Sequence, residues 1–543
     1  ATVRAAVPLW LEPRATRDTR VAHVLDLEPS AVVLDGVADA VANRRTDLLA
    51  PFLTDRPPLG RFLTSKGSWA FPASRSAVRR WPSRLQRAYL RQLERIAGDA
   101  AALPWRRAHA IACAAQVPDH GYASVRRWAA SSDVVLAEAA LGALGGSGDE
   151  LPLLLDHAGG DRARVAVYAA SRAARQVSPS GLAALFDDLL TGPGKKITSR
   201  KEGARLAAAC LPAPEAARLL ARAYAAPDAH RDVRAACVAL AAHDLLGHEP
   251  AWEILADAVR EDRPGVLRDA ALRPAPLDVA ETHRERYAAL VTAVAGTGQD
   301  ELAATALSAL TRWAPWSPQA AALFAQVLAD VPRRARVLWR TAASGLVDEA
   351  ARTQEGAAAL HAAVTALVAH GTEPDAGDER DRPAHRRIEY VAELLADRTP
   401  RTTALRPAAR SVARLLAGHD TCVEPATRVL LASVDLGAPG PALHELARLH
   451  TGRPALAART ADALRSRVRR QEIVDEPELD RTAQTLAESG DLAEGLFAWA
   501  VTVACGDRTA WPVRWRARLS ALRRHASPDV RDAAIRVGTA TDS

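Results

Sequence analysis

The chain has 543 residues, 48% of them hydrophobic, which excludes wholesale disorder and also exceeds what one compact core holds. Its net charge is only +7, so the whole molecule is not a general polyanion binder. Five scattered cysteines without CxxC spacing argue against a disulfide framework or a structural zinc site, and place the chain in the cytoplasm.

Residues 1–75 read as a helical segment leading into an array. Overlapping it, residues 56–128 carry 14 Lys or Arg against three acids (Glu94, Asp99, Asp119), a local balance of +11 that leaves −4 for everything else. Pro82 opens a predicted helix to about Ala97. At about 100° per residue its Arg84, Arg87, Arg91 and Arg95 share one side, with Leu85, Tyr89, Leu93 and Ile96 opposite. Arg106 and Arg107 follow, and Trp69, Trp81, Trp105 and Trp128 interleave the segment as candidate stacking platforms. Such a row of like charges is mildly costly without anions facing it. The plainer alternative is a solvated helix face paired with acids, and core tryptophans.

From Asp133 the chain repeats itself. Asp232-Val233-Arg234-Ala235-Ala236 returns as Asp529-Val530-Arg531-Asp532-Ala533-Ala534, with weaker copies opening at Asp133, Asp161, Ser199, Gly265 and Asp300. The starts are spaced for two helices and two turns, and apolar residues recur at helical intervals, as at Val165, Tyr168 and Ala169. Ser178-Pro179, Ser317-Pro318 and Ser527-Pro528 read as helix starts, and Ser199-x-x-Glu202 as a capping box.

The loop Gly192–Lys201 holds three of the chain's four lysines. With Ser199 as N-cap, Lys195, Lys196, Arg200 and Lys201 would gather at a helix N-terminus as a candidate anion site. It is not a phosphate-binding P-loop, because Leu189 stands where that motif begins with glycine. Segment 371–387 is charged and rich in breakers, which predicts a loop or hinge between repeats 76–370 and a C-terminal set, 388–543. Copies between 330 and 510 are too degenerate to phase. His444-Glu445 with His450 is not a zinc motif, since six residues put the histidines on different helix faces.

The Asp-Val-Arg-Ala-Ala pattern resembles the HEAT-repeat family, including its short bacterial, PBS-lyase-like version. The match is clearest over 130–310 and 510–540, and the Arg-rich, Lys-poor composition resembles an actinobacterial member. The resemblance implies an all-α, HEAT-like α-solenoid, a right-handed superhelix of antiparallel helix pairs. It carries no catalytic motif. The expected function is a non-enzymatic scaffold for protein–protein interaction, with the basic segment as contact to an acidic partner. Neither a cofactor, a metal nor a membrane is expected. The alternative is a nucleic-acid-binding HEAT protein, by fold analogy with alkylpurine DNA glycosylases. A lyase-type activity is weaker still, because the label describes repeats and not chemistry.

Overall fold

The computed structural model describes residues 2–54, 56–64, 69–260, 262–297, 299–333, 335–371, 382–472 and 474–539. These residues are helical, and they divide into two compact units, 1–271 and 272–543.

The first unit contains α1 (Thr2–Trp10), α2 (Arg17–Leu27), α3 (Asp35–Asn43), α4 (Arg75–Val78), α5 (Ser83–Gly98), α6 (Pro104–Ala114) and α7 (Gly121–Ala129). It continues with α8 (Val134–Leu144), α9 (Leu151–Asp156), α10 (Ala163–Ala174), α11 (Pro179–Thr191), α12 (Ile197–Cys210), α13 (Ala213–Ala225), α14 (Arg231–Asp244) and α15 (Glu249–Ala258). From α6 onward, even-numbered helices stack on one another (α6, α8, α10, α12, α14), and α9, α11, α13 and α15 form a second layer against them. Each helix thus touches its hairpin partner and the equivalent helix one pair away, which is solenoid stacking.

Helix α16 (Gly265–Leu272) runs across the division. The second unit comprises α17 (Glu281–Ala295), α18 (Asp300–Trp313), α19 (Ala320–Ala329), α20 (Arg336–Arg352), α21 (Gln354–His370), α22 (Pro383–Arg398) and α23 (Arg406–Ala417). After them come α24 (Val423–Ser433), α25 (Gly440–Leu449), α26 (Pro454–Arg470), α27 (Glu476–Glu488), α28 (Leu492–Arg508), α29 (Val513–Leu522) and α30 (Pro528–Ile535). Here α18, α20, α22, α24, α26, α28 and α30 form one stacked layer, and α17, α19, α21 and α23 pack as the other. The described residues of 330–510, unphased in the sequence, supply α20 to α24, α26 and α28 to these layers. Of segment 371–387, residues 372–381 lie outside the described residues, and Pro383–Arg387 open α22.

Alanine sets the packing phase. The buried face of α10 is Ala163, Ala166, Val167, Ala169, Ala170, Ala173 and Ala174, whereas Tyr168 is exposed. The periodicity that included Tyr168 is therefore displaced. Close helix approach selects small side chains at the contact, and the bulky residue sits outside it. Larger side chains fill the layer ends: Trp313 stacks on Tyr287 with ring centroids 4.8 Å apart and donates its Nε1–H to the Pro274 carbonyl at 3.2 Å.

The structure also explains the repeated arginine. A helix leaves its last four carbonyls without partners, and a cation there is favoured by the helix dipole. Arg234 of α14 donates to the carbonyls of Tyr224 and Ala226 at the end of α13, at 3.0 and 2.9 Å. Arg531 of α30 donates to His525 and Ala526 just past α29, and Arg200 of α12 to Gly192 at the end of α11. In the acidic position, Asp133 caps α8 by accepting from the N–H groups of Val135 and Leu136. Asp232, by contrast, lies inside α14, whose N-cap is His230.

Candidate functional site

Helix α5 forms as the sequence predicts, starting at Ser83 after Pro82. Leu85, Tyr89, Leu93 and Ile96 are buried and pack toward α6, while Arg84, Arg87, Arg91 and Arg95 are all exposed on the other side. Among the described residues Arg84, Arg87 and Arg91 have no carboxylate partner. The nearest acid on their own helix, Glu94, is engaged by Arg127 and the Ser124 hydroxyl.

The other basic candidates do not join that row. Arg107 is a structural residue: its Nε–H donates to the Ala97 carbonyl at 3.0 Å, and Nη1 pairs with the cap residue Asp133 at 2.8 Å. Arg126 forms a two-point pair with buried Glu150, at 2.6 and 2.7 Å. Arg106 is exposed and lies 5.3 Å over the ring of Trp105.

Apart from Arg106, Trp105 is separated from the arginines, which lie on the other side of α5. It lines a cavity of about 500 Å³ on the apolar side of α5, whose walls include Trp69, Phe71, Tyr89, Leu93, Arg106 and His109. Trp81 is buried in the core beside it, 5.5 Å from Tyr89 and bonded through Nε1–H to the Ala42 carbonyl. Cys113 also lines this cavity, 3.4 Å from His109 Nε2. Burial raises the Cys113 thiol above its ordinary value, so the pair is not an activated nucleophile and base.

The lysine loop differs from its predicted form. Helix α12 begins at Ile197 with Lys196 as N-cap, so Ser199 lies inside the first turn and donates to the Ala158 carbonyl at 2.5 Å instead of capping. The capping box with Glu202 is absent; Glu202 pairs with Arg205. Lys195 pairs with Asp188 at 3.2 Å, Lys196 with Asp161 at 3.8 Å, and Arg200, largely buried, with Asp228 at 3.1 Å. Lys201 is half-buried beside Glu202 and Arg205. Acids from neighbouring turns supply the counter-charge that a bound anion would have supplied.

His444, Glu445 and His450 disperse. His444 meets Glu494 at 2.6 Å, Glu445 meets Arg414 at 2.6 Å, and His450 turns into the core. Among the described residues no group of three or more His, Cys, Asp or Glu side chains is placed to hold a metal ion. No helix among them is long and apolar enough to cross a membrane. All five cysteines are free thiols.

The class defined by this geometry is an α-solenoid, two-layered in each unit, with three exposed arginines on α5 (Arg84, Arg87 and Arg91) that have no carboxylate partner among the described residues. No protein-family model matches the chain, and no curated protein matches it. Among solved structures it is similar to a chain of the homology model of the full-length AP-3 complex in an intermediate open conformation, at 11% identity and a TM-score of 0.34, covering 83% of this chain and 90% of that one. The crystal structure of Kap121p is similar at 11% identity and a TM-score of 0.38, covering 96% of this chain and 65% of that one. This chain thus spans just under two thirds of that protein's length. The karyopherin Kap121p bound to the extreme C-terminus of the protein phosphatase Cdc14p gives 13% identity and a TM-score of 0.24, with 85% of this chain and 63% of that chain covered. Likenesses this low carry no argument, and the architecture stands on the helix stacking described above.

Proposed function

We propose that the protein is a non-enzymatic scaffold that holds an acidic protein segment along the arginine row of α5. One observation carries this reading: Arg84, Arg87 and Arg91 are exposed and lack carboxylate partners among the described residues, while Arg107, Arg126, Arg127, Lys195, Lys196 and Arg200 all have them. At about 1.5 Å per residue the row from Arg84 to Arg91 is about 10 Å long, the span of about three residues of extended peptide. The nucleic-acid alternative needs bases stacked beside the phosphate contacts. Trp69 and Trp105 instead line the cavity on the opposite side of α5, which supports the protein reading. The five free thiols accord with a cytoplasmic setting.

The test compares wild type with a triple variant, Arg84→Glu, Arg87→Glu and Arg91→Glu, by fluorescence anisotropy. The probes are a labelled Glu-rich decapeptide and a single-stranded oligonucleotide of equal charge. We expect the decapeptide to bind wild type, to weaken with added salt as screening requires, and to lose at least about tenfold affinity in the variant. A preference for the oligonucleotide would favour the nucleic-acid reading, and unchanged peptide binding by the variant would remove α5 as the contact.

A further inference from the structure

We propose that the groove between α20 and α22 binds a phosphate monoester through Arg336 and Arg340, against an aromatic wall of Trp339 and Tyr390. The groove has a volume of about 440 Å³, within the range typical of small-ligand sites, and Arg386, Arg387, Glu389 and Glu393 complete its lining. It lies wholly within the second unit and does not depend on the reading of α5.

Two helix N-termini meet there. Arg336 is the first residue of α20 and Pro383 the first of α22; both line the groove, and neither helix has an acid in its first turn. The partial positive charge of a helix N-terminus favours anions and disfavours cations. Yet these two ends carry Arg336, Arg340, Arg386 and Arg387. Arg336 and Arg340 are also one turn apart on α20, where like charges repel.

Arginines at such places usually find acids, and the two on α20 do not. Among the described residues Arg336 and Arg340 have no ion-pair partner. The Arg340 Nε is out of contact with water and has no hydrogen-bond partner. Its guanidinium is held by rings alone, 4.8 Å from the centroid of Tyr390 and 5.5 Å from that of Trp339. Arg387 lies 5.6 Å from the same tryptophan and is only 1% exposed. Its own donors are spent on carbonyls at and just past the end of α19, with 2.7 Å bonds to both Leu328 and Arg333, so it adds positive field without being free to bind. Burial lowers the Arg387 pKa to about 10, which still leaves it charged at neutral pH. The two lining acids have other partners: Glu389 meets His385 at 3.4 Å and Glu393 meets Arg428 at 3.9 Å.

The chemistry selects among anions. One carboxylate satisfies a single guanidinium fork, whereas a tetrahedral phosphate dianion accepts from several donors at once. Glu389 and Glu393 in the lining oppose an extended polyanion such as a nucleic acid strand more than a compact group. The aromatic wall accommodates the group that the phosphate is attached to.

The test is isothermal titration of the full chain with inorganic phosphate and with phenyl phosphate, at ionic strength matched with sodium chloride. We expect both to bind, phenyl phosphate more tightly, and Arg340→Gln to lose on the order of tenfold or more in affinity. Arg336→Gln should lose less, Glu393→Gln should bind more tightly, and Arg516→Gln, at an exposed position of α29, should match wild type. Circular dichroism establishes that each variant is folded. No heat of binding at millimolar phosphate, or equal affinity in Arg340→Gln, overturns the site. A phosphoserine tripeptide and glycerol phosphate then separate the sources: tighter tripeptide binding assigns the phosphate to a protein partner, and tighter glycerol phosphate to a small molecule.

Discussion

His450 is 2% exposed, with its Nδ1–H donating to the Leu446 carbonyl at 2.5 Å and its ring edge-on to Phe497 at 5.7 Å. Burial holds its pKa below the ordinary histidine value, Arg453 pushes it the same way, and the Leu446 carbonyl pulls against them. As pH falls, the unfolded chain therefore takes up a proton near the ordinary value of about 6.5, before the native state does. The stability this histidine contributes is present above that value and is lost as pH falls below it. His525 is shifted the same way, by burial and Arg531. We expect the melting temperature to fall between pH 7.5 and 5.5, above the range where carboxylates titrate. His450→Gln should melt lower at pH 7.5 but show a shallower fall. Melting curves at several pH values check this, and an equally steep fall in the variant would assign the acid sensitivity elsewhere. The six-residue spacing of His444 and His450 argues against a zinc motif, but nothing in that string places His450 in the core. The placement shows in Thr460, whose hydroxyl lies 3.1 Å from His450 Nε2 but ten residues away on the next helix.

At the scale of elements, the repeat was legible where it carried an acid and an arginine, because both act at helix ends. Asp133 caps its own helix and Arg234 caps the preceding one, so a local string records a local contact. Between 330 and 510 the same work is done by residues distant in sequence. Arg387 reaches back to the end of α19, Arg467 to the Leu431 and Val434 carbonyls at the end of α24, and Arg508 to Arg469 in the last turn of α26. With separations above thirty residues, no short motif records them. The arginine row of α5 was readable from helical spacing alone. The groove of Arg340 was not, because it needs α20 and α22 side by side. Glycines give a sharp test of the same packing. A Cβ on Gly356 would come within 2.4 Å of the Glu349 backbone, where α21 folds back on α20, and backbone cannot swing aside. A Cβ on Gly142 of α8 would meet nothing within 4 Å. Gly356→Ala should therefore cost about 1–3 kcal/mol, while Gly142→Ala should gain about 0.5–1 kcal/mol from helix propensity. Denaturant midpoints measure both, and a shared sign would contradict the packing at one of the two.

At the scale of the molecule, what a solenoid buries it buries between neighbours, so each unit has a continuous core of its own. In the first unit that core runs through Leu141, Leu154, Phe186 and Leu220, and in the second through Trp313, Phe324, Leu367 and Phe497, all fully buried. Cooperativity in such arrays follows contacts with adjacent helices, and chains of this length depart from two-state unfolding. The expected outcome is denaturant unfolding in more than one step. Phe324→Ala, which empties a buried ring site between α19 and α20, should cost about 3–5 kcal/mol locally. It should lower the midpoint of one step and leave another in place. Phe186→Ala in the first unit should move a different step. Circular dichroism gives the overall profile, and hydrogen exchange followed by mass spectrometry shows which helices open in each step. A single transition displaced as a whole by either substitution would mean that the two units unfold as one cooperative body. Separate steps would allow the α5 and Arg340 sites to be tested in one chain, since loss of one unit would leave the other folded to bind its probe.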